Sequence, residues 1–342
     1  MSITAYGIND PEARKAWQKI VAVETLDKTY IGQFIGKGDD AVIQQKDELS
    51  KDKGDSVRFF LRAQLVGRGT QGDAQLKGNE EKLTTYADNV IIDQRRHAVS
   101  AGGKMSRQRV PFNVRREAMD GLSDWAADLM DASFFNQMAG YTAETDTLYT
   151  GNNTVTAPSR IIRKTGLTTD QAVQGDATAT FDTTYIDKIK INGRDFYVMF
   201  LHPFQVYQLR QSAATAGSWA DIQKAAIQGG KITDNPIFTG ALGVWNGVVL
   251  HEANRIPYGV HSTTGAPQTS TRRAVFCGAQ AGAMAFGQGY SFEKFIWEEE
   301  EEDYGNQLGV GGGAIFGLKK TIFNNIDFGT VVATTYSPDP NA

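Results

Sequence analysis

Cys277 is the only cysteine in the chain. Its isolation excludes an intrachain disulfide and a cysteine-based zinc site, and suits folding in a reducing cytoplasm. Set in Ala274-Val275-Phe276-Cys277-Gly278, it reads as a small buried hydrophobe. Histidine is nearly as scarce. His97, His202, His251 and His261 are scattered, without the i, i+4 spacing that puts two imidazoles on one metal. Apolar runs are short, Phe196–Leu201 among the longest, and none could cross a bilayer. Met1 to Gly7 has no basic region leading into an apolar stretch, so the expectation is a chain neither secreted by a standard signal nor membrane-spanning. Charge of one sign is missing too. With 35 basic and 39 acidic residues the net charge is −4, which argues against broad phosphate neutralisation and tight DNA wrapping.

What is present is enough for a sizeable core: 342 residues, 41% of them hydrophobic, as one elaborate domain or two or three subdomains. The first 50 residues carry a short helical pattern around Glu12–Val21 and end in the charged run Lys46–Lys53, which reads as an arm, not a core. From Val57 the period switches to two. Val57, Phe59, Leu61, Ala63 and Leu65 share one face, and Arg58, Arg62 and Gln64 the other. A Gly-rich polar tip, Gly67 to Asn79, leads to a second extended run, Leu83–Val99, with Val90, Ile91, Ile92, Arg95 and Arg96. Together they predict a long hairpin. Isolated two-stranded hairpins are marginal in water, and no nearby sequence reads as a partner, so a neighbouring subunit is the natural support.

Asn113 is a candidate N-cap for a helix reaching Ala139, with Gly140 ending it. At 100° per residue, Ala118, Met119, Leu122, Trp125, Ala126, Leu129 and Met130 fall on one side. Glu117, Asp120, Asp124, Asp128 and Asp131 fall opposite. Like charges at this spacing each cost about 0.2–0.5 kcal/mol unless cations face them. The stripe is therefore either a solvated face or a docking strip for arginines of another segment or subunit.

Residues 141–180 read as long loops or weak strands, and Tyr185–Phe286 as a compact α+β region. Within it, Asp195–Leu201 is a buried strand, His202-Pro203 opens a helix through Arg210, and Trp219–Ile227 is helical. Val244–His251 is a strand with a turn at Asn246-Gly247. The acidic run Glu298–Asp303 could bind a divalent cation but reads better as solvated. The cluster Gly309–Gly313 suggests a flexible or tightly turned connection, followed by strands at Thr321–Phe328 and Thr330–Thr335. Gly312–Thr321 fails as a phosphate loop because Leu318 stands where the lysine is required. Asn152-Asn153-Thr154 matches a glycosylation acceptor by chance. No stretch supplies a nucleophile, base and orienting group together, and no cofactor or metal is implied.

Several stretches resemble a known family. They are Gly54-Asp55-Ser56-Val57, Gly72-Asp73, Leu76-Lys77-Gly78-Asn79-Glu80-Glu81 and Ile92-Asp93-Gln94-Arg95-Arg96-His97-Ala98-Val99. Further along come Leu201-His202-Pro203, Asn246-Gly247-Val248-Val249-Leu250-His251-Glu252 and Asp303-Tyr304-Gly305-Asn306. In this order they resemble the major capsid proteins of N-four-type tailed phages, with weakest cover over residues 1–50 and 141–180.

The resemblance implies an α+β chain of the Hong Kong 97-type fold. Its parts would be an N-terminal arm (1–53), an extended β-hairpin loop (54–110), a peripheral domain (111–184) with spine helix 113–139, an axial domain (185–286), and peripheral return strands (287–342). It also implies a structural subunit, not an enzyme, that closes into rings of five and six in an icosahedral head around double-stranded DNA. Expected partners are itself, a portal protein, scaffolding and decoration proteins, and DNA by weak non-specific contact, in a virion assembled in bacterial cytoplasm. The alternatives are an encapsulin-like compartment shell, an enzyme whose active site converges from distant segments, and a phage tail or tube protein. Inter-subunit contact is expected from Arg58, Arg62, Arg95, Arg96, Arg107 and Arg109, with Asp120, Asp124, Asp128 and Asp131 as first choice of partners.

Overall fold

The computed structural model describes residues 11–47, 53–62, 65, 67–109, 111, 113–163, 173–175, 186–191, 193–211, 240–288, 290–291 and 294–340. The helix expected at Trp219–Ile227 lies outside them, as does Ala63 of the expected hairpin face.

The spine helix runs Val114–Ala139 between the expected caps. The Asn113 side chain accepts from the Arg115 N–H at 3.0 Å, and Gly140 turns left-handed at φ 60°, where a Cβ is costly. Six of the seven expected apolar residues are buried and Trp125 is half-buried. From Leu129 onward every residue of the helix is buried, so its second half threads the core. Arg273, itself fully buried, completes the C-terminal cap. Its Nη1 donates to the carbonyls of Ala139 (2.9 Å) and Gly140 (2.8 Å), satisfying groups the helix end leaves orphaned.

Among the described residues, one sheet runs Ile35–Gly36, Ile43–Lys46, Gly282–Phe286, Gln307–Lys320, Ile296–Glu302, with Asp93–Ala101 also paired to Gln307–Lys320. A second runs Ile161–Arg163, Thr330–Tyr336, Pro267–Cys277, Arg194–Leu201, Val248–Glu252, Gly243–Trp245. Val198, Phe200 and Cys277 of the second sheet pack with Phe134, Phe135 and Met138 of the spine helix in one core. The predicted strand before His202, the helix Pro203–Gln211 and the turn at Asn246-Gly247 (φ 49° and 80°) are all present.

Two expectations are corrected. The described part of the N-terminal segment packs on the body instead of reaching out as an arm: helix Pro11–Lys28 and the turn Tyr30–Phe34 put Val21, Ala22, Ile31 and Phe34 in the core, and Trp17 stacks on Trp297 at 5.5 Å. Nor does Gly309–Gly313 form a connection. It lies inside the 14-residue strand Gln307–Lys320, flanked by Ile296–Glu302 and Asp93–Ala101. Backbones crowd here: a Cβ on Gly313 would collide with the Arg95 carbonyl, and one on Gly317 with that of Ile91. Glycine serves close approach, not flexibility.

Candidate inter-subunit surface

The hairpin is shorter than expected. Ser56–Arg62 pairs antiparallel with Thr85–Ile91, Val57 opposite Val90. The chain then breaks at Ile92, and Asp93–Ala101 leaves to join the body sheet. Period-two burial holds on the first strand: Val57 and Phe59 are buried, Arg58, Phe60 and Arg62 exposed.

The hairpin also has its own bed, contrary to the sequence reading. Val57, Phe59, Val90 and Ile92 pack on Ala283, Ala285 and Ile315, the two alanines leaving room for the Phe59 ring. Two polar clamps fix the second strand. Asn153, 3% exposed, accepts from Ile91 N–H (2.9 Å) and donates to the carbonyls of Ile91 (3.1 Å) and Leu318 (3.1 Å). Gln137 of the spine helix donates to the Asn153 carbonyl at 2.8 Å. Asp88 pairs with Lys319 and accepts from Ile322 N–H at 3.0 Å. Sequence reasoning passed over Asn153 as a chance motif; nothing local marks it, since its partners are distant.

Past the bed the loop stands free. Every described residue from Leu65 to Thr85 is exposed, Leu65 at 57%, Leu76 at 60% and Leu83 at 54% among them. On the hairpin's outer face Phe60 is 64% and Ile91 48% exposed.

The candidate arginines divide. Arg58 and Arg62 lie on the outer hairpin face, the Arg58 guanidinium over the Phe60 ring at 5.3 Å. Arg96 is exposed on the body strand. Arg95 turns inward, 9% exposed, donating to the Thr147 carbonyl (2.9 Å) and to the Asn152 side chain. Arg107 and Arg109 lie on the short helix Lys104–Arg109, Arg107 donating to the Asn306 carbonyl at 3.0 Å.

The acidic stripe divides as well. Asp124 is met by Lys28 of the same chain at 2.9 Å and Asp128 by Arg255, yet both carboxylates stay largely open to solvent. Asp120 is half-buried and Glu117 exposed. Asp131 is no part of an outer stripe. It is 9% exposed and accepts from the N–H groups of Tyr30 and Ile31, both at 3.0 Å, at the start of the Tyr30–Phe34 turn. Burial pushes its carboxyl up to about 6 despite those two donors. On the Trp125 side of the helix, a groove of about 840 Å³ has a mixed lining that includes Arg95, Arg96, His97, Trp125, Ile296 and Glu298.

His202 and His251 are both buried, and His202 Nδ1 accepts from Phe204 N–H at 3.2 Å. Among the described residues no three His, Cys, Asp or Glu side chains converge as metal ligands.

The model of a family described as phage capsid protein matches residues 5–192 and 185–339. The chain belongs to the phage capsid protein family. It is 28% identical over 364 residues to the major capsid protein of Pseudomonas phage KPP25, covering 94% of each chain. The capsid of Ralstonia phage GP4 superposes with a TM-score of 0.78 at 35% identity over the full length of both chains. The capsid of cyanophage Pam1, at 19% identity, TM-score 0.65 and 91% and 93% coverage, agrees in fold alone. The Hong Kong 97-type fold, α+β as expected, is therefore the fold of this phage capsid protein. Its function is that of a tailed-phage major capsid protein: a structural subunit, not an enzyme, that associates with itself into an icosahedral shell and resides in the virion.

Proposed function

We propose that shell cohesion works through a lever: the hairpin base is fixed in its own subunit, while its outer face and tip lie on the spine helix of an adjacent copy. The free stretch Leu65–Thr85 carries this reading. Three exposed leucines spread along this stretch are covered by nothing in their own subunit, and an adjacent copy would cover them. The 840 Å³ groove beside Trp125 is the place offered to them. Arg58 and Arg62 face Glu117, Asp120, Asp124 and Asp128, with Arg96 nearby. Asp131 and Arg95 drop out because they are used internally. Exposed pairs contribute about 0–1 kcal/mol each, so apolar burial supplies cohesion and charge sets register.

The matching division of the subunit is a loop at 54–92, a peripheral domain at 111–184 and 287–342 built on the spine helix, and an axial domain at 185–286, with residues 17–46 and 93–109 counted in the body. Copies gather in rings of five and six, assisted by portal, scaffolding and decoration proteins in the host cytoplasm. They enclose double-stranded DNA through weak, non-specific contacts, as a net charge of −4 favours.

A charge swap tests the lever. Arg58→Glu with Arg62→Glu should abolish particles seen by electron microscopy, and adding Asp124→Lys with Asp128→Lys should restore them. Normal particles from the first pair would contradict it.

A further inference from the structure

The turn Asp303–Asn306 joins edge strand Ile296–Glu302 to Gln307–Lys320 and holds three successive residues at positive φ: Asp303 at 52°, Tyr304 at 53° and Gly305 at 77°. Only glycine enters this region freely, so Asp303 and Tyr304 stay there because their surroundings hold them. Asn306 does the holding. Its N–H donates to the Asp303 carbonyl (3.0 Å) and its Nδ2 to the Asp303 carboxylate (3.1 Å). Its side-chain oxygen accepts from Lys104 N–H and its carbonyl from Arg107, both at 3.0 Å. The turn is thus strapped to the helix Lys104–Arg109. From it Tyr304 stands wholly clear of the protein, 106% exposed, while Met105 on the strapped helix is 66% exposed.

Charges around these two side chains are sorted by sign. Glu300, Glu301, Glu302 and Asp303 lead into Tyr304, all exposed. Lys104, Arg107 and Arg109 surround Met105, and that helix carries no acid. Among the described residues, no ion pair joins either group to the other.

We propose that this end of the molecule is a contact between copies: the Tyr304 ring of one seats on the Met105 helix of the next, with Glu301, Glu302 and Asp303 against Lys104 and Arg109. The occupant is a second copy because one chain carries both halves side by side, acidic and aromatic on the turn, basic and apolar on the helix. A rotation repeats such a heterologous pairing around a closed ring. A tyrosine presented rigidly loses little freedom on docking, which suits it to anchor an interface. The proposal rests on self-association into a shell and is independent of the loop-on-helix contact.

Because Cys277 is fully buried and the sole native thiol, introduced thiols are unambiguous. Equimolar particles co-assembled from Tyr304→Cys chains and Met105→Cys chains, then mildly oxidised, should yield disulfide-linked dimers containing one of each, up to about half of the chains, since random mixing pairs a turn thiol with a helix thiol at half of such contacts. Particles of either variant alone should not. Mixed particles that assemble yet give no mixed dimer overturn the proposal. A second measurement needs no substitution. Carbodiimide treatment of native particles built from heavy- and light-nitrogen chains should join Lys104 to Glu301, Glu302 or Asp303 as mixed-isotope peptide pairs. Only same-isotope pairs, or none, overturn it, whatever the fate of the loop contact.

Discussion

Lys28 closes on Asp124 of the spine helix at 2.9 Å, donating also to the Ser123 hydroxyl at 2.7 Å. The N-terminal helix thereby supplies part of the positive charge that the acidic stripe demands, and Arg255 supplies more at Asp128. Both aspartates remain open on their outer side, 68% and 46% exposed, so a neighbour can still reach them.

Replacing Asp124 and Asp128 together by Asn should therefore change the unfolding free energy of the unassembled chain by no more than about 1 kcal/mol. Particle yield should fall sharply. Denaturant titration checks the first expectation and sedimentation the second; a stable chain that still forms normal particles would remove the stripe from the interface.

Asn153→Ala removes the clamp between hairpin and body. Several buried hydrogen bonds go at once, leaving Ile91 N–H without its acceptor, so stability should drop by about 3 kcal/mol. Hydrogen exchange should localise the loss to Ser56–Arg62 and Thr85–Ile91. A uniform loss across the body sheet would contradict this role.

Two buried groups give opposite pH slopes. Asp131 titrates at about 6 when folded, above the ordinary 3.8, so the folded chain holds the extra proton and stability declines as pH rises from about 4 to 6. The amount is on the order of 3 kcal/mol. His202, lowered to about 4 by burial and by Arg272, favours the neutral ring when folded, so its contribution is present at neutral pH and lost as pH falls from 6.5 towards 4. Asp131→Asn should thus steepen the acid loss seen in denaturation between pH 4 and 6. An unchanged profile would show that Asp131 titrates normally.

Gly313→Ala should cost about 3 kcal/mol or more, because its Cβ meets backbone and not a movable side chain. Gly121→Ala, where nothing lies within 4 Å, should be neutral or stabilising. Thermal unfolding distinguishes them, and equal effects would contradict the close-approach account.

Local signals were legible in the sequence. The spine helix declares itself through Asn113, Gly140 and its apolar face, and the Asn246-Gly247 turn through residues that tolerate positive φ. What escaped was non-local. Trp17 finds Trp297 across nearly the whole chain, so the segment around it lacked a visible partner and read as an arm. The glycines of Gln307–Lys320 answer strands brought in from both sides, a crowding no single stretch encodes. Asp131 fits the outer stripe by helical angle, and only the Tyr30–Phe34 turn folded against it makes it internal. Tyr304 carried a family motif but no visible reason until its φ and exposure were known.

The lever is tested most directly by removing its free end. Replacing Leu65–Lys82 with an Asn-Gly turn shortens the hairpin without touching its bed on Ala283, Ala285 and Ile315. Electron microscopy of the purified variant, alongside circular dichroism, should find a folded subunit that forms no closed shells. Shells of normal size and stability from this chain would contradict the claim that the loop holds one subunit to the next.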